Sequence, residues 1–84
     1  MKRDADFFGD NEPQLIYIAK KLRESLALED VLTKGGIDYL VEPDRYRGGF
    51  IFQSERIGAF FYVLPEHVEP ARTLMVSHRY KALE

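Results

Sequence analysis

The sequence predicts an α+β fold: a small, mostly antiparallel sheet of three or four strands with two helices on one face. Three observations predict it. Two dense apolar runs rich in β-formers, Leu15-Ile16-Tyr17-Ile18 and Ala59-Phe60-Phe61-Tyr62-Val63-Leu64, are too short to be helices. Each is followed by a stretch in which apolar residues recur at helical spacing. Glycine and proline stand at the joints, at Gly35-Gly36, Pro43, Gly58 and Pro65.

Gln14–Ala19 is the first strand, an apolar run suited to burial on one face and partial cover on the other. Residues 20–34 are the first helix. Leu22, Ser25, Leu28 and Leu32 fall on one stripe, with Leu26 and Val31 on its edges. Gly35-Gly36 then supplies the left-handed residue that satisfies the last helical carbonyls. Residues 37–42 alternate, with Ile37, Tyr39 and Val41 set against Asp38, Leu40 and Glu42, and read as a strand. Pro43, which has no ladder donor, is expected to end it.

Residues 43–57 are the least regular stretch: residues 44–49 are expected to be a turn or mobile loop, Phe50-Ile51-Phe52 a short strand, and residues 53–56 polar again. Gly58 opens the strongest strand, expected in mid-sheet. Pro65-Glu66 stops it and starts the second helix. Pro70 is tolerated in the first turn, where its missing N–H would have no partner. Val68, Ala71, Leu74, Met75, His78 and Ala82 then share one face. The order is β-α-β-(β)-β-α, a ferredoxin-like arrangement short of its last strand.

A chain of 84 residues makes one domain with a thin core, burying only ~60–65% of the surface that its unfolded form exposes. It has no cysteine, hence no disulfide staple and no thiolate metal site, which suits a reducing, cytoplasmic setting. A formal net charge of −2 argues against a dedicated nucleic-acid or membrane-surface protein. No apolar run approaches the ~20 residues that span a bilayer. Residues 1–13 set Asp4, Asp6, Asp10 and Glu12 around Phe7 and Phe8 and stop at Pro13. They read as a poorly ordered lead-in whose phenylalanines could dock on the domain, which occupies residues 14–82. Leu83-Glu84 reads as the remnant of a purification-tag junction.

No catalytic centre is legible, and no cofactor is expected. His67 and His78, the only histidines, sit roughly 16 Å apart if helical, too far to share a metal ion. Ser77 and His78 are neighbours that point in different directions on a helix, so they make no nucleophile–base pair. Between the first strand and helix stands Ala19-Lys20-Lys21, without the glycine a phosphate loop needs. The arginine-bearing glycine loop of acylphosphatases, which share the expected fold, is missing too.

Candidate binding residues remain. Arg45, Tyr46, Arg47 and Arg56, with Gly48 and Gly49, form the one basic, aromatic-containing segment, suited to anions or to base stacking. Glu29 falls on the apolar stripe of the first helix, where a carboxylate needs a partner. His78 is expected as a structural histidine on the apolar face of the second helix. The strand Phe60-Phe61-Tyr62 places aromatics on both sheet faces, and any face without a helix would be exposed apolar surface.

Residues 28–42, LEDVLTKGGIDYLVE, and 60–75, FFYVLPEHVEPARTLM, with the opening strand LIYIA, resemble a family of small bacterial signal-transducing proteins. Its fold is ferredoxin-like and related to the nitrogen-regulatory PII proteins. The matching positions are Leu28, Glu29, Leu32, Gly36 and Ile37, then Val63, Pro65, Ala71, Arg72, Leu74 and Met75. Most are packing positions, and the family has no active site to carry over. The resemblance implies a non-enzymatic regulatory module. Protein contact is expected through an exposed sheet face or an unpaired edge strand, with a second copy or an unidentified protein. Two alternatives stand beside it. Residues 16–19 and 58–63 loosely resemble the strand motifs of an RNA-recognition motif, a single-stranded RNA binder. A small-ligand or nucleotide effector site around Arg45 and Arg56 is the other.

Overall fold

The computed structural model describes residues 1–48 and 54–80. Among them are strands β1 (Lys2–Arg3), β2 (Gln14–Ala19), β3 (Tyr39–Gly48) and β4 (Ser54–Val63). The helices are α1 (Ala5–Phe8), α2 (Leu22–Lys34) and α3 (Val68–Ser77), the last entered through a 3-10 turn at Pro65–His67. The strands form one mixed sheet in the order β1-β3-β4-β2. Both long pairings, β3 with β4 and β4 with β2, are antiparallel, and β1 adds a short parallel pairing on β3. The α+β class and the mostly antiparallel sheet are as expected, and the arrangement is consistent with a ferredoxin-like one. The fourth strand, however, comes from the N-terminal segment. No helix among the described residues is long and apolar enough to cross a membrane.

The core lies between one sheet face and the two longer helices. Ile16, Tyr39, Phe61 and Val63 from the sheet meet Leu28 and Leu32 of α2 and Ala71 and Met75 of α3. Tyr39 is buried as a phenol, so its hydroxyl needs partners. It bonds with Thr33 Oγ1 at 3.1 Å and donates to the Glu29 carbonyl at 3.2 Å. Its ring stacks on Phe61 with centroids 6.0 Å apart.

Two glycines join α2 to β3 for different reasons. Gly36 takes φ +75°, the left-handed conformation that glycine adopts without strain. Its N–H bonds to the Thr33 carbonyl, and that of Ile37 reaches back to Leu32, which closes the helix in a Schellman motif. Gly35 has ordinary helical φ and ψ, but a Cβ there would collide with the Leu74 side chain. It lets α3 approach the end of α2.

Five sequence expectations are corrected. First, β3 continues through Pro43 instead of ending there. Tyr39 N–H bonds to the Met1 carbonyl on the β1 side, away from β4. Every second residue of β3, Val41 and Pro43 included, therefore turns its nitrogen to that side. Since β1 reaches only to Leu40, Pro43 faces an open edge and removes no ladder bond. Second, residues 43–57 are not a loop through most of their length: β3 and β4 form a two-stranded arm as far as Gly48 opposite Ser54. The expected strand at residues 50–52 lies outside the described residues, as do Ala82 and residues 83–84.

Third, the buried arc of α2 is Ser25, Leu28 and Leu32. Leu22 and Leu26 are 74% and 55% exposed, since at the helical spacing they point roughly 90° and 130° away from the centre of that arc. Fourth, His78 is exposed, not packed. His78 keeps its helical phase, with its N–H still bonded to the Leu74 carbonyl, but at the end of α3 it lines an open hollow beside α2 instead of the core. Fifth, residues 2–8 of the expected lead-in carry β1 and α1, and Phe8 is only 2% exposed.

Phe8, Leu40 and Phe60 are buried but stand outside the helix-side cluster. Alternation from Tyr39, Val41 and Phe61 puts Leu40 and Phe60 on the opposite face. That face, expected as exposed apolar surface, is therefore covered at both positions.

Candidate functional site

The β3–β4 arm sorts the expected basic cluster onto two faces. Arg45 pairs in register with Ile57, and Tyr46 with Arg56. Side chains alternate along a strand, so Arg45 stands with Ile57 on one face and Tyr46 with Arg56 on the other. Arg47 is placed by its backbone pairing with Glu55, and its side chain lies outside the described residues. The Tyr46 ring lies over Gly58: a Cβ there would stand 3.0 Å from Tyr46 Cε1 and 3.0 Å from Ile18 Cγ2. Lys20 Nζ is 5.6 Å from the Tyr46 ring centroid, a cation–π distance. Gly58, expected to open its strand, instead lies within β4, where it is a packing requirement of this face.

Glu29 does not join the arm. Its carboxylate is 3.7 Å from Lys2 Nζ, and Lys2 pairs with Tyr39. Arg45 is six residues further along β3, about 20 Å away. The partner that Glu29 needs on its apolar stripe is a lysine of β1, which only the N-terminal strand brings there. The site residues read from the sequence therefore form three separate groups. Among the described residues no three histidine or carboxylate side chains gather where a metal ion could sit. His67 keeps its Nδ1 buried without a hydrogen-bond partner.

The sheet edges are more informative. The same alternation that frees Pro43 turns the backbone groups of Phe61 and Val63 toward β2. Tyr17 and Ala19, opposite Phe61 and Ala59, thus spend their N–H groups inside the sheet, whereas Leu15 and Ile18, opposite Tyr62 and Phe60, turn theirs outward. No strand lies beyond β2 among the described residues. A register shift between Leu15 and Tyr17 marks a bulge, a common way of limiting indiscriminate edge pairing.

Tyr17 turns to the helix side, where its ring meets Tyr80 edge-on at 5.4 Å. Its phenol is pushed up to about 12, first by burial and then by the charge and hydrogen bond of Glu24. Tyr39, Tyr62 and Tyr80 are raised as well, chiefly by burial. An unfolded tyrosine releases its proton near pH 10. The folded chain then holds a proton the unfolded chain has lost, so the contribution of Tyr17 to stability is constant below about pH 10 and falls between about pH 10 and 12. Urea midpoints across that range should fall more gently for Tyr17→Phe than for the parent, and the last phenolate absorbance step should vanish. An unchanged slope would mean that Tyr17 titrates like a solvated phenol.

Neither of the two motifs behind the RNA reading presents an aromatic platform. Tyr17 faces the helices and Phe60 is buried, which leaves Tyr62 half-covered on the opposite face. Compared with family models, curated proteins and solved structures, the chain matches none of them.

Proposed function

We propose that this domain is a non-enzymatic binding module that acts by protein contact through the open edge of β2. On this reading β2-α2-β3-β4-α3 is a ferredoxin-like unit whose closing strand, which would lie beside β2, is supplied by a partner. The regulatory role implied by the resemblance to small signal-transducing proteins, and the cytoplasmic setting suited to a chain without cysteine, belong to the same proposal. The observation that carries it is the outward pair of backbone groups at Leu15 and Ile18, on an edge strand whose outer side has no neighbouring strand among the described residues. An extended segment laid along such an edge gains main-chain hydrogen bonds, and its side chains give specificity. Leu15, 36% exposed, offers an apolar contact beside them. The arginine arm favours an effector site less, because Arg45 diverges from Tyr46 and Arg56.

Amide hydrogen exchange tests this reading. In dilute solution Tyr17 and Ala19 should be protected, while Leu15 and Ile18 exchange at least a hundredfold faster. Protection of Ile18 equal to that of Tyr17 in the monomer would mean the edge is already covered, and the proposal would fall. Protection that grows with protein concentration would identify the partner as a second copy.

A further inference from the structure

A groove runs between α2 and the end of α3, on the helix side of β2. Its larger part is about 600 Å³ and is lined by Tyr17, Lys21, Arg23, His78, Arg79 and Tyr80, with Glu24 at its wall. A second hollow of about 480 Å³ continues it past Ala27, His78 and Tyr80. Lys21, Arg23 and Arg79 set three cations against one carboxylate in a chain whose net charge is negative. None of the three is ion-paired among the described residues, where the pairs instead engage the N-terminus, Lys2, Arg3, Lys34 and Arg72. Glu24 accepts from the Lys20 backbone N–H at 3.2 Å and lies against Tyr17, so it is already engaged.

Arg79 carries the second observation. It has φ +66° and is the one residue other than glycine with positive φ among those described. Tyr80 N–H bonds to the Met75 carbonyl at 2.7 Å and Arg79 N–H to that of Val76 at 3.0 Å. This is the Schellman motif that ends α2, with arginine where α2 has Gly36. A side chain in that conformation strains the backbone, and residues strained in this way cluster at ligand clamps and other functional sites. Here the strained residue lines the cationic end of the groove, next to the paired rings of Tyr17 and Tyr80.

We propose that this groove binds a small organic anion: a phosphate or carboxylate held by Arg79, Lys21 and Arg23, carried on a flat ring that packs on the two tyrosines. Guanidinium groups match such anions, and aromatic walls match a flat apolar body. The site does not depend on the β2 edge, whose outward groups at Leu15 and Ile18 lie outside it.

The test is an amide NMR titration with phenyl phosphate, with inorganic phosphate and phenol as its separate halves. Phenyl phosphate should shift Tyr17, Ala27, Arg79 and Tyr80 and bind at least tenfold tighter than either half. Arg79→Gly should move two readouts in opposite directions. Its folding constant should rise roughly two- to fivefold, since relief of strain outweighs the added freedom of glycine, and phenyl phosphate should bind at least fivefold more weakly. Arg79→Lys, which keeps the charge, should bind within about threefold of the parent. Absence of shifts in the groove, phenyl phosphate no tighter than inorganic phosphate, or undiminished binding by Arg79→Gly would each overturn the proposal.

Discussion

Phe61→Ala is expected to cost about 3–5 kcal/mol of folding stability, the range for emptying a fully buried aromatic site. Phe61 has no exposed surface. It sits in β4 between Tyr17 of β2 and Val41 of β3, so its loss opens a hole under both flanking strands. Its ring also stacks on Tyr39, so the substitution removes support from the phenol that is hydrogen-bonded to α2. A domain of this length has a total stability of only ~4–13 kcal/mol, so this one substitution removes a large fraction of it. Urea unfolding should show a much lower midpoint at an unchanged slope. Phe61→Leu, which keeps most of the volume, should lose less than about 1.5 kcal/mol. A loss below 1 kcal/mol for Phe61→Ala would place the core elsewhere.

Phe8→Ala tests the N-terminal segment. If residues 1–13 were only a lead-in, truncating Phe8 would change stability by less than about 0.5 kcal/mol, as for an ordinary surface position. At 2% exposure it should instead cost roughly 3 kcal/mol. Phe7 is the internal control. It is 43% exposed and touches Phe8 edge-on and the Arg3 guanidinium at 4.6 Å. Phe7→Ala should therefore lose less than about 1 kcal/mol. Equal, small losses for both would show that the segment does not contribute to the core, and would also weaken the account of Glu29, whose partner Lys2 arrives on the same segment.

The sequence by itself determined the elements whose signals are local. β2 spans the expected residues, because an apolar run of β-formers bounded by Pro13 and a lysine pair has one economical reading. α2 ends where expected, because Gly36 supplies the left-handed residue that its last turn requires. Pro70 falls in the first turn of α3, where a missing N–H costs nothing.

Only the tertiary structure decided which neighbours each element has. Pro43 reads as a terminator only if a strand lies on both sides of it, and no local signal says that β1 stops at Leu40. The basic segment reads as one cluster until the register of β3 against β4 sends Arg45 to one face and Tyr46 with Arg56 to the other. Glu29 looks unpartnered until a strand from the far end of the sequence places Lys2 beside it. Periodicity gave the apolar arc of α2, but packing narrowed it to Ser25, Leu28 and Leu32 and left Leu22 outside. The groove was invisible for the same reason. Tyr17 and Arg23 stand near one end of the chain and Arg79 near the other, and the backbone strain at Arg79 arises from the way α3 closes, which no spacing of residues records.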